Sequence, residues 1–520
     1  MKKFLLSIVI SLLLGLLVFS TTFAGLPGTG WWSAIKIQNI GSTSGSVRMD
    51  AYEKDSTAIY DSQAFEFDPI KSLVYDPGQT PNYPSGNIIG FNSTLPSGFN
   101  GSVVLSSSVE ASSVSQIANY SNPSGGTGYA SALYPGFSAQ MVDTELLAPT
   151  IKHNHVGATT TMYIQAAGAD ANVTVTYTMA DGSIHTHSAT IEANRMFIFD
   201  PANATPPVES DCTDTSTHTS PCYGSAIVTS SSPIAGVLLE HAHMGTPSYY
   251  VRAARLSTPQ DESTKIYVPS VKNDFCGTGG CAYAGAAVMN VGTVDANVKI
   301  TLTVTKLGTN APIGVDVGDT YTNTVNIEPE TNYNFSKFRD NLGGLPVGTM
   351  AAAVIESLNA VPLVGVSNDT KEYEGFPGPE GMMVKYTAFA DELATPVAYA
   401  PMVKEFLGDF TGGVTVQNVG NVADYINIEY HEYLTNNVCI LKTKELIPVG
   451  AAAETNWVSV SGGSRFDVSG DCSSVSDLAG KEFSVKTYTD TSQDVILMVT
   501  ENTPDSILDI SRYEGVNVEE

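Results

Sequence analysis

Basic residues are scarce in this chain of 520 residues: 25 Lys and Arg stand against 53 Asp and Glu. The formal charge of −28 repels nucleic acid and anionic lipid, which argues against both as partners. Charge of either sign is sparse, at 15% of residues, while Gly, Ser, Thr, Asn and Val abound. That mixture disfavours helices and is typical of exported β-proteins. Beyond residue 24 no apolar run approaches the length needed to span a membrane. Cysteine is limited to six residues with no Cys-x-x-Cys spacing, so disulfides are expected rather than a cysteine zinc site. Catalytic signatures are missing as well: there is no Gly-x-Ser-x-Gly elbow, His-Glu-x-x-His helix or phosphate-binding glycine loop. The sequence predicts no enzyme.

What is present begins with a targeting segment over residues 1–24. Lys2 and Lys3 precede an apolar run from Phe4 to Phe19, and Ala24 ends a small-residue cleavage site. Its removal leaves 23 basic against 53 acidic residues, or −30. The expected location is extracellular or at the cell surface, with no lipid anchor because no cysteine lies near the cleavage point. The cysteines then pair as Cys212 with Cys222, Cys276 with Cys281 and Cys439 with Cys472, in an oxidising compartment.

One phrase recurs along the chain. Val416-Gln417-Asn418-Val419-Gly420 has earlier copies at Ile37–Gly41, Ile164–Gly168 and Val288–Gly292, with the glycine repeating after 127, 124 and 128 residues. A fixed long period means one folding unit in tandem. Alternating apolar and polar residues flank each copy, which predicts two antiparallel strands joined by a short turn. Four units follow: 25–143, 144–258, 259–392 and 393–520. Each reads as about seven short strands, and so as an immunoglobulin-like two-sheet sandwich in an all-β chain. Units 2 to 4 open with a Pro-x-x-Lys strand (Pro149–Lys152, Pro269–Lys272, Pro401–Lys404) that unit 1 lacks, the proline suggesting an edge position. Stretches 121–143, 245–264 and 371–396, rich in Gly, Pro and Tyr, read as linkers between separately folding beads.

The phrase, with Ala423 and the alternating strand ending in Tyr430, resembles the immunoglobulin-like repeats of bacterial surface proteins, specifically the CARDB type (cell-adhesion-related domains in bacteria), over residues 31 to about 515. That resemblance implies a spacer, adhesion or surface-assembly role and carries no catalytic residues.

Seven of the eight histidines lie in unit 2. Six form His-x-His pairs, His153/His155, His185/His187 and His241/His243, and His218 is the seventh. Residues i and i+2 share a strand face, and an up-and-down path puts all seven at one end of the unit. Neutral imidazoles in that number suit a divalent transition metal such as zinc or copper. Calcium has softer candidates in Asp369 with Glu372, and in Asp200 near Glu209 and Asp211. Trp31-Trp32 and Tyr249-Tyr250 offer rings to a sugar, though core packing is the plainer reading.

The ends of the chain suggest assembly. Unit 1 leaves an edge uncovered, and the alternating tail Ser506–Tyr513 has the pattern of a strand supplied in trans, so head-to-tail filaments or a surface layer are expected. The sequence therefore points to a secreted structural or adhesive surface protein that meets cell-surface or matrix components. A metal- or ligand-binding module centred on unit 2 is the alternative.

Overall fold

The computed structural model describes residue 26 and residues 30–77, 88–119, 130–213, 216, 219–243, 249–277, 280–372, 381–407, 410–433, 435, 437–456, 465–502 and 510–518. The targeting segment lies outside them. Within them the chain is all-β and antiparallel, relieved by 3₁₀ turns of three or four residues. No helix among the described residues is long and apolar enough to cross a membrane, which does not bear on β-barrels.

The recurring phrase does not make a hairpin. Its first strand in unit 1, Trp32–Asn39, pairs with Ser72–Tyr75 and Ala111–Asn119. The strand after it, Gly45–Glu53, belongs to a different sheet with Phe65–Phe67 and Gly101–Ser107. Ile35 and Ile37 of the first pack with Val47 and Met49 of the second in one core, so the phrase is an arch between two facing layers. Its asparagine explains why. Asn39 Nδ2 donates to the carbonyls of Thr43 and Phe67, and Asn39 Oδ1 accepts from Gly41 N. Asn290 and Asn418 make the same three bonds, to Val294, Ile327 and Gly292 and to Val422, Ile447 and Gly420. These bonds satisfy backbone groups that a sheet-to-sheet crossing leaves without ladder partners. Ala166 occupies the position in unit 2. There Asn194 reaches over from another turn to accept from Gly168 N, and Gly168 adopts φ +81°.

The prolines of the opening strands mark bulges rather than edges. Register jumps at each of them, between Ala148 and Ile151, Val268 and Val271, and Ala400 and Val403. In units 3 and 4 these strands are paired on both sides, so a bulge is what accommodates the missing N–H. A tyrosine from the end of the same unit fills the gap. Tyr513 Oη donates to Met402 O at 2.5 Å and accepts from Met402 N at 3.0 Å, and Tyr386 does the same more loosely at Ser270, at 3.4 Å each. Tyr513→Phe strands a buried N–H and C=O and is expected to cost about 1–3 kcal/mol. Tyr386→Phe is expected to cost less. Denaturant unfolding of the two variants side by side checks both the size and the order.

The stretches read as linkers contain strands, and the C-terminal tail adds a fourth of the same kind. Ala130–Pro135, Tyr249–Arg255, Gly381–Thr387 and Ile510–Glu514 each pair with the last long strand of their own unit in one shared register: Val114 with Pro135, Val237 with Arg255, Val366 with Thr387 and Met498 with Glu514. These four closing strands also neighbour one another in cyclic order, first to second, second to third, third to fourth and fourth back to first. Thr387 N donates to the Glu514 carboxylate and Thr387 Oγ1 donates to Arg255 O at 2.9 Å, tying three equivalent positions together. Val384, Lys385, Tyr386 and Thr387 are all at most 2% exposed, as a strand covered on both faces must be. The units are therefore not independent beads on linkers; they share a hub.

The tail belongs to that hub. Ile510–Glu514 pairs with Val495–Asn502 and Val516–Val518 with Val397–Leu407, so the strand considered for addition in trans completes its own unit. Residues 503–509 lie outside the described residues. Leu26 packs with Ala130, Ala132, Val237 and Leu239 where units 1 and 2 meet, with Trp31 against the same cluster.

All three expected disulfides form, Cys212–Cys222, Cys276–Cys281 and Cys439–Cys472.

Candidate functional site

The chemistry of this molecule is concentrated where the units meet. The shared register places Glu240, Asp369 and Glu501 at one equivalent point of the last long strand, three residues beyond the hub pairing. Each meets the lysine of its own Pro-x-x-Lys strand: Lys152 with Glu240 at 2.9 Å, Lys272 with Asp369 at 2.6 Å and Lys404 with Glu501 at 3.1 Å. A second cation arrives from the next unit's closing strand. Lys385 reaches Glu240 at 2.8 Å and Arg512 reaches Asp369 at 2.5 Å. Arg252 adds a third cation to Glu240.

At the remaining joints this pattern turns apolar. Leu133 of unit 1 is buried in the core of unit 4, and Ile117 stands where the acid would be in unit 1, among Val237, Val251 and Ala253. Lys36 replaces the missing cation at the seam of units 4 and 1, where it pairs with Glu482. Lys71 Nζ donating to Thr435 O and Ser484 Oγ donating to Ile70 O extend that seam. A cleft of about 240 Å³ opens there, lined by Lys71, His431, Glu432 and Tyr433 among others.

Burial and pairing compete at these groups. Burial alone would raise the Glu240 carboxyl, but Arg252, Lys152 and Lys385 hold it well below the ordinary range. Burial pushes Lys385 down to about 7 against the opposing pull of Glu240. At Asp369, Arg512 and Lys272 likewise outweigh burial and keep the carboxyl low. Glu405 shows what burial does without a cation: 3% exposed, with Oε2 unpartnered among the described residues, its carboxyl rises well above the ordinary range. The folded state thus holds the Glu405 proton more tightly than the unfolded chain. Its stabilising contribution is full below the unfolded pKa near 4.5 and is lost as pH climbs through the raised folded value. Glu405→Gln is expected to remove that fall and to raise stability at neutral pH, by an amount that shrinks as the pH is lowered towards 4. Unfolding curves across the pH range check it.

The histidines of unit 2 gather only in part. Val208 O accepts from His153 Nδ1 at 2.7 Å and Pro206 O from His185 Nδ1 at 2.9 Å, so one loop orients a member of each of two pairs. His155 is buried against Tyr223, with Ser220 Oγ 3.3 Å from its Nδ1. His187 packs edge-on to Phe197 and Phe199. Burial lowers the pKa of His187 and of His241, with Asp200 opposing at both, so both rings are neutral at neutral pH. His218 and the side chain of His243 lie outside the described residues. Among those described, no three His, Cys, Asp or Glu side chains form a group able to hold a metal ion. In the first two pairs one ring is buried and the other half-buried, His155 against His153 and His185 against His187.

The calcium candidates have other work. Asp369 is buried between Lys272 and Arg512, and the Glu372 side chain lies outside the described residues. Asp200 caps a 3₁₀ turn through Ala202 N, and Glu209 accepts from the backbone of Ser210 and Asp211. Tyr250 is buried at 7% exposure, so it packs rather than offering a face to a sugar.

No family model matches the chain, and no curated protein matches it. Among solved structures it is similar to Thermotoga maritima 1070, at 17% identity and a TM-score of 0.19, over 25% of this chain and 94% of that one. It is also similar to E. coli alpha-2-macroglobulin in its native conformation, at 7% identity and a TM-score of 0.10, over 93% of this chain and 28% of that one. At these scores neither likeness says anything about function.

Proposed function

We propose that this chain is an exported structural or adhesive surface protein, built from four immunoglobulin-like sandwiches that close on one another within a single chain. The observation that carries this reading is the cyclic contact of the four closing strands, with the tail strand seated between units 3 and 1. Such closure joins four cores into one rigid body and leaves the unit ends, with their loops, as the surfaces free to meet other molecules. Three disulfides accord with an oxidising compartment, and so with export. The CARDB-type resemblance is part of the same reading. With the tail strand already paired in cis, any assembly between copies uses other surfaces.

The test is a bacterial host producing the full chain with a C-terminal tag. Loss of residues 1–24 and digestion of the tagged protein by protease added to intact cells are the expected results. Retention of the uncleaved chain inside the cell would overturn the reading. Small-angle scattering of residues 25–520 then separates a closed body from an extended rod.

The second reading, a transition-metal module in unit 2, is favoured by one observation: His153 and His185 are oriented by carbonyls two residues apart on the same loop. Metal bound in stoichiometric amount by protein from a metal-replete culture, and lost in a His153→Ala/His185→Ala variant, would support it.

A further inference from the structure

Where units 2 and 3 meet, three cations share one acid, Arg252 and Lys385 buried and Lys152 half-buried. Lys152, Arg252 and Lys385 all contact Glu240, and no second carboxylate among the described residues pairs with any of them. Glu240 and Lys385 have no exposed side-chain surface, and that of Arg252 is 3% exposed. With every group ionised, two positive charges stay uncompensated; with Lys385 neutral, one does. An unpaired charge at such depth is costly by several kcal/mol unless something neutralises it.

Several donors at this joint are left over. Arg252 Nε, the Tyr223 hydroxyl, and Arg339 Nε and Nη1 are all shielded from solvent and without a hydrogen-bond partner among the described residues. Tyr223 is within electrostatic reach of both arginines, and its hydroxyl approaches Asn332 without meeting it in hydrogen-bond geometry. Arg339 comes from the unit 3 side and sits over the Tyr333 ring, its guanidinium carbon 3.5 Å from the ring centroid. Asn332, which donates to Pro149 O at 2.5 Å and Gly224 O at 2.8 Å, fixes that side against unit 2. Water can accept from these donors but cannot cancel the charge. Two guanidinium edges and a phenol are the donor set that an oxyanion requires.

We propose that the joint between units 2 and 3 binds one small divalent oxyanion of the sulfate or phosphate kind, held by Arg252 Nε, the Tyr223 hydroxyl and Arg339. The anion completes the charge balance around Glu240 and locks unit 3 onto unit 2.

The test uses residues 25–520 dialysed into a zwitterionic buffer of low salt near neutral pH. Sodium sulfate, sodium phosphate and sodium chloride are titrated at matched ionic strength while the thermal midpoint is followed, and calorimetry counts the sites. A saturable rise with one sulfate or phosphate per chain is expected, with chloride about tenfold weaker or worse. Arg339→Met keeps an apolar stem over Tyr333 and should lose the saturable part. Tyr223→Phe, which preserves shape, serves the same purpose if the first variant does not fold. Equal rises with all three salts that never saturate, which reflect general salt effects, would overturn the proposal. So would saturation unchanged in either variant.

Discussion

Glu240→Gln is expected to lower the stability of the folded chain by about 3–5 kcal/mol, the usual cost of removing one partner from a buried ion pair. The carboxylate is fully buried and is the shared partner of Lys152, Arg252 and Lys385. A neutral amide leaves these cations facing one another in a medium that screens them poorly. Lys385→Met is the informative contrast. It takes a cation away from a site with too many and replaces the stem with apolar volume, so its effect should be far smaller and of either sign. Because Lys385 belongs to unit 3 and Glu240 to unit 2, Glu240→Gln should also loosen their joint. Hydrogen exchange would report this as faster exchange in Tyr249–Arg255 and Gly381–Thr387 together. Equal destabilisation by both substitutions would mean that packing, not charge, holds the joint.

Opening the Cys439–Cys472 disulfide is the second large effect. It spans 33 residues, against 10 for Cys212–Cys222 and 5 for Cys276–Cys281. Loop-closure entropy in the unfolded chain then assigns about 4 kcal/mol to the first and about 2–3 kcal/mol to each of the others. Cys439 and Cys472 are also buried in the core of unit 4, with Tyr430, Leu441 and Phe483. Paired serine variants of each disulfide, unfolded under identical conditions, should fall in that order. A Cys276→Ser/Cys281→Ser variant as damaged as the unit 4 variant would show that the tip of the unit 3 hairpin does more than close a short loop.

Other features are tied to the hub. Of the 25 basic residues, eight of those described are buried: Lys36, Arg195, Arg252, Arg255, Lys272, Lys385, Lys404 and Arg512. Most of them serve the joints. Arg255 is one of them, paired with Asp261 at 2.5 Å beside Thr387 and Glu514. A chain with so few cations has buried about a third of them, most where the units meet, which ties its fold to their closure rather than to four separate cores.

The local rules of strands carried much of this into the sequence itself. Alternation and turn residues were enough for an all-β chain, and cysteine spacing was enough for the three disulfides, because both depend on neighbours a few tens of residues apart. The repeated Asn-x-Gly was visible too, yet its role was not: an asparagine that bridges two layers and one that ends a hairpin have the same spacing, and only the partner strands tell them apart. Three of the four closing strands were read as linkers because a strand buried on both faces loses the alternation by which strands are recognised. Ala130–Leu133 and Val384–Thr387 look like composition until their neighbours exist. Likewise Lys152, Lys272 and Lys404 were noticed as part of a Pro-x-x-Lys strand, while Asp369 was read as a calcium candidate and neither Glu240 nor Glu501 was matched to a lysine. Nothing in one strand announces the charge on another roughly 90 residues away. The all-β class and the disulfide pairs are statements about short stretches of chain, and the sequence determined them alone. Which acid meets which lysine, and that the fourth unit returns to the first, depend on contacts between residues hundreds of positions apart, and only the tertiary structure decided them.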